Sequence, residues 1–197
     1  MSNQAQNQKS KTLQLINLKK PDLRYPILKV LSDRFSPREY LKEDVKEEDI
    51  KTMFEAARWA PSARNLQPWY FYWTRQGTQS FEKIRSCIPH KHHWSSSANV
   101  FIVACYMDDG NEYALYDLAT AVFSFIIQAQ SMGYYARQIG NFDRIKAKQI
   151  LNILDPQKPF ITIALGKICD HSQASKEIND MEFQKRERKI DLAKKLI

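Results

Sequence analysis

A chain of 197 residues with 43% hydrophobic and 12% aromatic side chains can bury a core of its own, which separates it from disordered sequences. Its 5 glycines form neither G-x-G-x-x-G nor G-x-x-x-x-G-K, so dinucleotide-fold and P-loop readings lose their main support. The formal charge of +8 gathers toward the ends, at Lys9, Lys11, Lys19 and Lys20 and from Lys185 to Lys195; no nucleic-acid-binding signature accompanies it, and it also suits an anionic cofactor.

Cys87, Cys105 and Cys169 are odd in number and far apart, as free thiols in a reducing compartment are. Met1 to Leu18 lacks the apolar core of a signal peptide, and no apolar run approaches the ~20 residues of a membrane span, so a cytoplasmic location is the default expectation.

In chain order, Met1 to Ser10 is polar and expected to be disordered or loosely attached. Pro26 to Leu31 reads as a short helix with proline in its first turn. It delivers Arg34, Ser36 and Arg38 into an extended stretch, because Ser36 precedes a proline. Residues two apart in an extended chain point the same way, so two guanidiniums and a hydroxyl can converge on one anion. A solvated basic turn is the plainer alternative. Lys46 to Ala60 is an amphipathic helix, with Ile50, Met53, Phe54 and Ala57 at core spacing, Asp44 and Glu47 at capping-box spacing, and Pro61 as its stop.

Ala56 to Phe71 closes that helix, makes a loop stiffened by Pro61 and Pro68, and enters a strand. The loop carries Ser62, Arg64, Asn65 and Gln67, groups able to grip a planar polar ligand or simply to make an ordinary connection. Trp69 to Thr74 has large residues on both alternating sets, which predicts a strand covered on both faces. Ser80 to Cys87 reads as a helix. His90, His92 and His93 follow without a spacing that aims them together, as surface histidines do. Val100 to Tyr106 is a continuous apolar strand.

Glu112 to Met132 is the longest helix. Leu115, Leu118, Ala119, Val122, Ile126 and Ala129 make one stripe, and Phe123, Phe125 and Ile127 make the rest apolar. Either a subunit interface or a central position in one core buries such a helix. Gly133 caps it, Asp143 caps a short helix reaching about Leu151, and Phe160 to Leu165 is a strand ended by Gly166. Glu177 to Leu196 is charged and weakly helical. No serine lies in a nucleophile elbow, and no pair of carboxylates stands out, which fits an enzyme whose cofactor does the chemistry.

R-F-S-P-R-E-Y from Arg34 and A-R-W-A-P-S-A-R-N-L-Q-P-W-Y-F ending at Phe71 together resemble the nitroreductase family of flavin enzymes. The resemblance continues in order through Gly133, Gln138-Ile139-Gly140-Asn141-Phe142-Asp143 and Pro159 to Gly166, and covers roughly Tyr25 to Gly166. It implies an α+β fold: a nitroreductase-like three-layer arrangement with a mixed, mainly antiparallel sheet between helices, in a domain-swapped type of dimer. The chain then divides into a polar N-terminal extension (1–24), an FMN-binding domain (25–170) and a charged C-terminal extension (171–197).

The resemblance further implies FMN held non-covalently between two copies. Arg34, Ser36 and Arg38 hold its phosphate end, with Phe35 giving mostly backbone, and Arg186 and Arg188 of the tail are candidates to join them. Pro61, Ser62, Ala63 and Asn65 of the other copy meet the ring and ribityl chain. Ala63 replaces a serine common in relatives, which leaves its backbone N–H. Gln138, Ile139 and Gly140 run along the ring, offering N–H groups where charge forms. The implied activity is hydride transfer from NADH or NADPH through flavin N5 to a nitroaromatic, quinone or similar small acceptor, with no metal, nucleic acid or membrane involved. Tyr134-Tyr135 stands where relatives often have Leu-Gly; it either narrows the space beside the flavin or fills the core. A non-catalytic flavin-binding or flavin-delivering protein is the alternative. A basic nucleic-acid-binding module is a third reading, supported by charge alone.

Overall fold

The computed structural model describes residues 3–172, 174–189, 192, 193 and 195. Its contacts separate two compact units: Arg34–Cys169, and the two chain ends, up to Asp33 and from Asp170 onward.

In the unit of the chain ends, α1 (Asn3–Leu18) takes in the stretch expected to be disordered. Gln and Leu, both good helix formers, are its commonest residues together with Asn, and it contains no Pro or Gly. Leu15 is fully buried. The helix expected from Pro26 appears instead as α2 (Lys29–Asp33), its first turn closed on the Leu28 carbonyl. Of the charged tail, only α7 (Lys176–Glu182) is helical among the described residues, capped by Ser175, whose Oγ accepts from the Ile178 N–H at 3.2 Å. Arg186 donates to the Ser32 carbonyl at 2.7 Å, and Arg188 is exposed.

The larger unit holds a sheet of four strands in the order β1-β2-β4-β3: β1 (Trp69–Arg75), β2 (Val100–Met107), β3 (Tyr135–Ile139) and β4 (Gln157–Gly166). All three pairings are antiparallel, the main character expected. On one face lie α3 (Glu47–Arg58) and α5 (Ala114–Ser131), over Val100, Ile102, Ala104, Ile163 and Leu165. On the other lie α4 (Gln79–Arg85) and α6 (Arg144–Ile150); Phe81 of α4 stacks on Phe101 of β2 at 4.5 Å. Adjacent β2 residues point to opposite faces, and both faces are covered, so the strand is apolar throughout. The result is three layers.

Local chemistry sets the ends of these elements. Ile50, Met53 and Ala57 make the buried stripe of α3, as their spacing predicts. Its N-cap is Lys46, with no side-chain cap bond, so the expected Asp44–Glu47 box does not form. Asp143 does cap α6, its Oδ1 accepting from the Lys146 N–H at 2.9 Å. Gly133 ends α5 at φ +81°, and the following Tyr134 N–H returns to the Ala129 carbonyl at 2.9 Å, a glycine-closed helix end.

Two burial readings change. β1 is an edge strand with Tyr70 and Trp73 exposed, so it is not covered on both faces; a solvent-facing aromatic looks the same in sequence as a buried one. On α5 the buried set is Ala114, Asp117, Leu118, Ala121, Val122, Phe125, Ile126 and Ala129, while Leu115, Ala119 and Phe123 are exposed.

Candidate functional site

Arg34 to Arg38 alternates as an extended chain should: Phe35 and Pro37 are buried, while Arg34, Ser36 and Arg38 are half-buried. Past a bend at Arg38 the alternation stops, and Tyr40 is buried as well. Phe35 therefore supplies more than backbone: its ring meets Tyr135 of β3 edge-on at 5.0 Å. Tyr40 donates its hydroxyl to the Ala164 carbonyl at 3.1 Å and its backbone N–H to Ser97 Oγ at 3.2 Å. Gly166 makes this fit possible, because a Cβ there would come 2.2 Å from Asn99 Oδ1 and 2.9 Å from Tyr40 Cδ1. With the apolar residues fixed, the polar ones assemble, and Arg34 Nη1 donates to Ser36 Oγ at 3.3 Å.

Two further groups join this corner: Arg137, which sequence reasoning passed over, and His92, which it reads as a surface histidine. Arg137 of β3 donates to the Ser36 carbonyl, and its guanidinium lies 5.1 Å over the Trp94 ring. His92 sits in the field of Lys91, Arg137, Arg38 and Arg85; burial first, then these cations, hold its pKa below the usual histidine value. The usable signal for Arg137 was a strand cation directly before Gln138. His90, His92 and His93 lie on a 3-10 stretch, His90–Ser97, and no group of three possible metal ligands exists among the described residues.

The Pro61–Gln67 loop is held differently. Thr120 of α5 donates to the Pro61 carbonyl at 3.0 Å, and the Ala63 N–H donates to Asp117 Oδ2 at 3.1 Å. Ser62 Oγ accepts from the Gln67 N–H at 3.0 Å, and Gln67 Nε2 donates to the Asn65 carbonyl at 2.7 Å. Arg64, Asn65 and Gln67 have φ values of +53°, +58° and +50°, left-handed conformations that cost roughly 1–2 kcal/mol for a residue with a side chain. Asn tolerates this best. The Ala63 N–H expected to remain for a ligand is thus spent on Asp117. That carboxylate is only 2% exposed, in the first turn of α5, where the helix dipole favours it. The one charged residue inside a largely apolar helix was its sequence signal. Ser62 and Ala63 are half-buried, and Pro61 and Asn65 are exposed.

Gln138 and Ile139 end β3 and Gly140 follows it, with Gln138 and Gly140 exposed and Ile139 buried. β3 is an edge strand in the described sheet, so alternate backbone groups face away from β4. Tyr134 is buried, and Tyr135 is half-buried against Phe35. The Tyr134 hydroxyl donates to Asp49 Oδ2 at 2.6 Å; burial, then this bond, push the phenol up to about 12.

Strand register places the two polar groups at opposite corners. Arg137 pairs with Ala164, whereas Trp69, where the loop enters the sheet, pairs with Tyr106 and through it with Lys158. That is about 20 Å along β4 and three strand spacings, about 14 Å, across the sheet. One copy brings Arg34, Phe35, Ser36, Arg38 and the β3 residues together, and keeps Pro61, Ser62, Ala63 and Asn65 away from them.

Residues 31–88 match the nitroreductase family model. The fold is that of the nitroreductase family. A solved structure described as an oxidoreductase containing FMN superposes with TM-score 0.81 at 25% identity, over 89% of this chain and 94% of that one. An FMN-dependent nitroreductase from Clostridium difficile shares the fold with TM-score 0.66 at 19% identity, over 76% of this chain and 98% of its own. A protein of Archaeoglobus fulgidus provisionally named NADH dehydrogenase/NAD(P)H nitroreductase is 27% identical over 147 residues, 71% of this chain and 83% of its own. The sequence resemblance to the nitroreductase family therefore holds. No helix among the described residues is long and apolar enough to cross a membrane.

Proposed function

We propose that the chain is an FMN-dependent oxidoreductase, a homodimer whose two sites each draw on both copies. The observation that carries this is the pair of corners: a cation-and-hydroxyl group on one and a polar loop on the other, too far apart in one chain to share a ligand. The named relatives support FMN and the nitroreductase type of activity.

The residues fit the cofactor. Arg34 and Arg38 neutralise its phosphate, and Ser36 offers a hydroxyl between them. Pro61, Ser62, Ala63 and Asn65 of the partner copy close over the ring and ribityl chain. Because Asp117 uses the Ala63 N–H, the polar work there falls to Asn65 and Ser62. Along Gln138, Ile139 and Gly140, the N–H groups that face away from β4 are offered to the ring, placed for charge as it forms. FMN, when bound, supplies hydride transfer at N5 between NADH or NADPH and a small acceptor such as a quinone or nitroaromatic. Arg186 and Arg188 enter from the sequence resemblance, which brings basic tail residues to the phosphate. Exposed Leu115, Tyr116 and Phe123 on α5 give the dimer an apolar face to bury.

Purified protein is offered excess FMN, freed of unbound flavin and assayed with NADH and NADPH plus a quinone or nitro acceptor. The expected result is about one flavin per chain and acceptor-dependent oxidation of the nicotinamide. Flavin uptake without turnover leaves a flavin carrier; no uptake ends the proposal.

A further inference from the structure

We infer that Arg137 is a third cation of the phosphate grip and also sets its shape, an inference that rests on the FMN reading above. Arg137 lies on β3, remote in sequence from Arg34–Arg38, yet it donates to the carbonyl of Ser36, the residue central to that segment. The same Ser36 receives Arg34 through its hydroxyl at 3.3 Å. Phe35, next to Ser36, and Tyr135, two residues before Arg137 on the same strand, meet at 5.0 Å, so segment and strand are joined by packing as well as by the hydrogen bond. The Arg137 guanidinium carbon also lies 5.1 Å from the centre of the Trp94 ring, a cation–π contact that holds the side chain at this corner.

A guanidinium carries five N–H donors in a rigid planar fork. One donor holds the Ser36 carbonyl, and a guanidinium can serve more than one acceptor at once, so the same side chain can also meet a phosphate oxygen. A phosphate monoester carries about −1.5 to −2 charge at neutral pH, and three guanidiniums match that better than two when the site is partly desolvated. Arg38 and Arg137 are already close enough to act on the same His92, which locates them in one field.

The test separates phosphate from ring. FMN and riboflavin share ring and ribityl chain and differ in the phosphate. Their affinities for the full-length protein are measured by quenching of flavin fluorescence, for the native chain, Arg137→Gln and Arg137→Lys. The expected result is a loss of about tenfold or more in FMN affinity for Arg137→Gln, with riboflavin affinity nearly unchanged. Arg137→Lys keeps the charge but not the fork, and loses a smaller, several-fold part of the FMN preference. If the glutamine variant does not fold, the lysine variant decides. An unchanged ratio of the two affinities in either folded variant, including an equal loss of both, makes Arg137 a structural tether only and overturns the inference. A native chain that binds flavin but does not prefer FMN refutes the phosphate assignment of Arg34 and Arg38 itself, and this inference with it.

Discussion

The Arg34–Tyr40 segment and the Pro61–Gln67 loop solve opposite problems. The first carries positive charge and is pinned by buried side chains: Phe35 against Tyr135, and Tyr40 against the β4 backbone, the latter made possible by Gly166. The second is largely exposed and is shaped by its own backbone, with three side-chain-bearing residues at positive φ and two α5 side chains holding its carbonyl and N–H. Charged groups need a fixed geometry to act together on one anion. A loop over a ring can be shaped locally, with its cost met by a few hydrogen bonds. The first corner should therefore fail through lost cofactor or bad packing, and the second through lost loop order.

The largest effect expected is from the double change Arg34→Ala with Arg38→Ala. Two charge-assisted contacts at roughly 1.5–3 kcal/mol each predict a loss of FMN affinity of about 100-fold or more. Flavin absorbance after gel filtration checks it, with melting temperature nearly unchanged. Retained flavin would break the comparison at its charged end. Next is Gly166→Ala, whose added methyl meets Asn99 and Tyr40 at impossible distances. Overpacking of this kind costs about 3 kcal/mol. Since each kcal/mol lowers the midpoint by about 2–4 °C in a chain this size, the melt should shift by about 6–12 °C.

Asp117→Ala leaves the Ala63 N–H without its acceptor and removes one hold on the strained loop. The expected cost is about 2 kcal/mol in the melt. Proteolytic cleavage should appear first between Pro61 and Gln67; cleavage elsewhere first would deny the loop its dependence on α5. Tyr134→Phe is smallest, about 1 kcal/mol for the lost bond to Asp49. Its pH dependence has a definite sign. The folded phenol titrates at about 12 against an ordinary value of 10.0, so its contribution is complete below about pH 10 and fades as pH rises toward 12. The native chain should lose stability across that window, and the phenylalanine variant should lose less.

Much of the first corner was legible in the sequence, because a proline after Ser36 forces extension and extension forces alternation. Arg137 was not, since only strand pairing and the Phe35–Tyr135 contact bring β3 beside that segment. The loop's residue types were readable, but its N–H accounting was not. Alanine at 63 says nothing about where its backbone donor goes, and the acceptor stands 54 residues away. The long helix was found by period alone, while its exposed Phe123 and buried Asp117 reverse what hydrophobicity would assign. The polar N-terminus looks coreless by composition, yet α1 joins helix-forming residues to one fully buried side chain, Leu15, which composition does not show.

The claim beneath all this is that the two corners act across two chains. It is tested most directly by co-expressing two differently tagged variants, Arg34→Ala/Arg38→Ala and Ser62→Trp, each blocking one corner, and isolating the mixed dimer. One site of that dimer then pairs both damaged corners, and the other pairs both intact ones. The account predicts that each variant alone binds almost no FMN and that the mixed dimer binds one FMN per two chains. A mixed dimer as empty as its parents would contradict it.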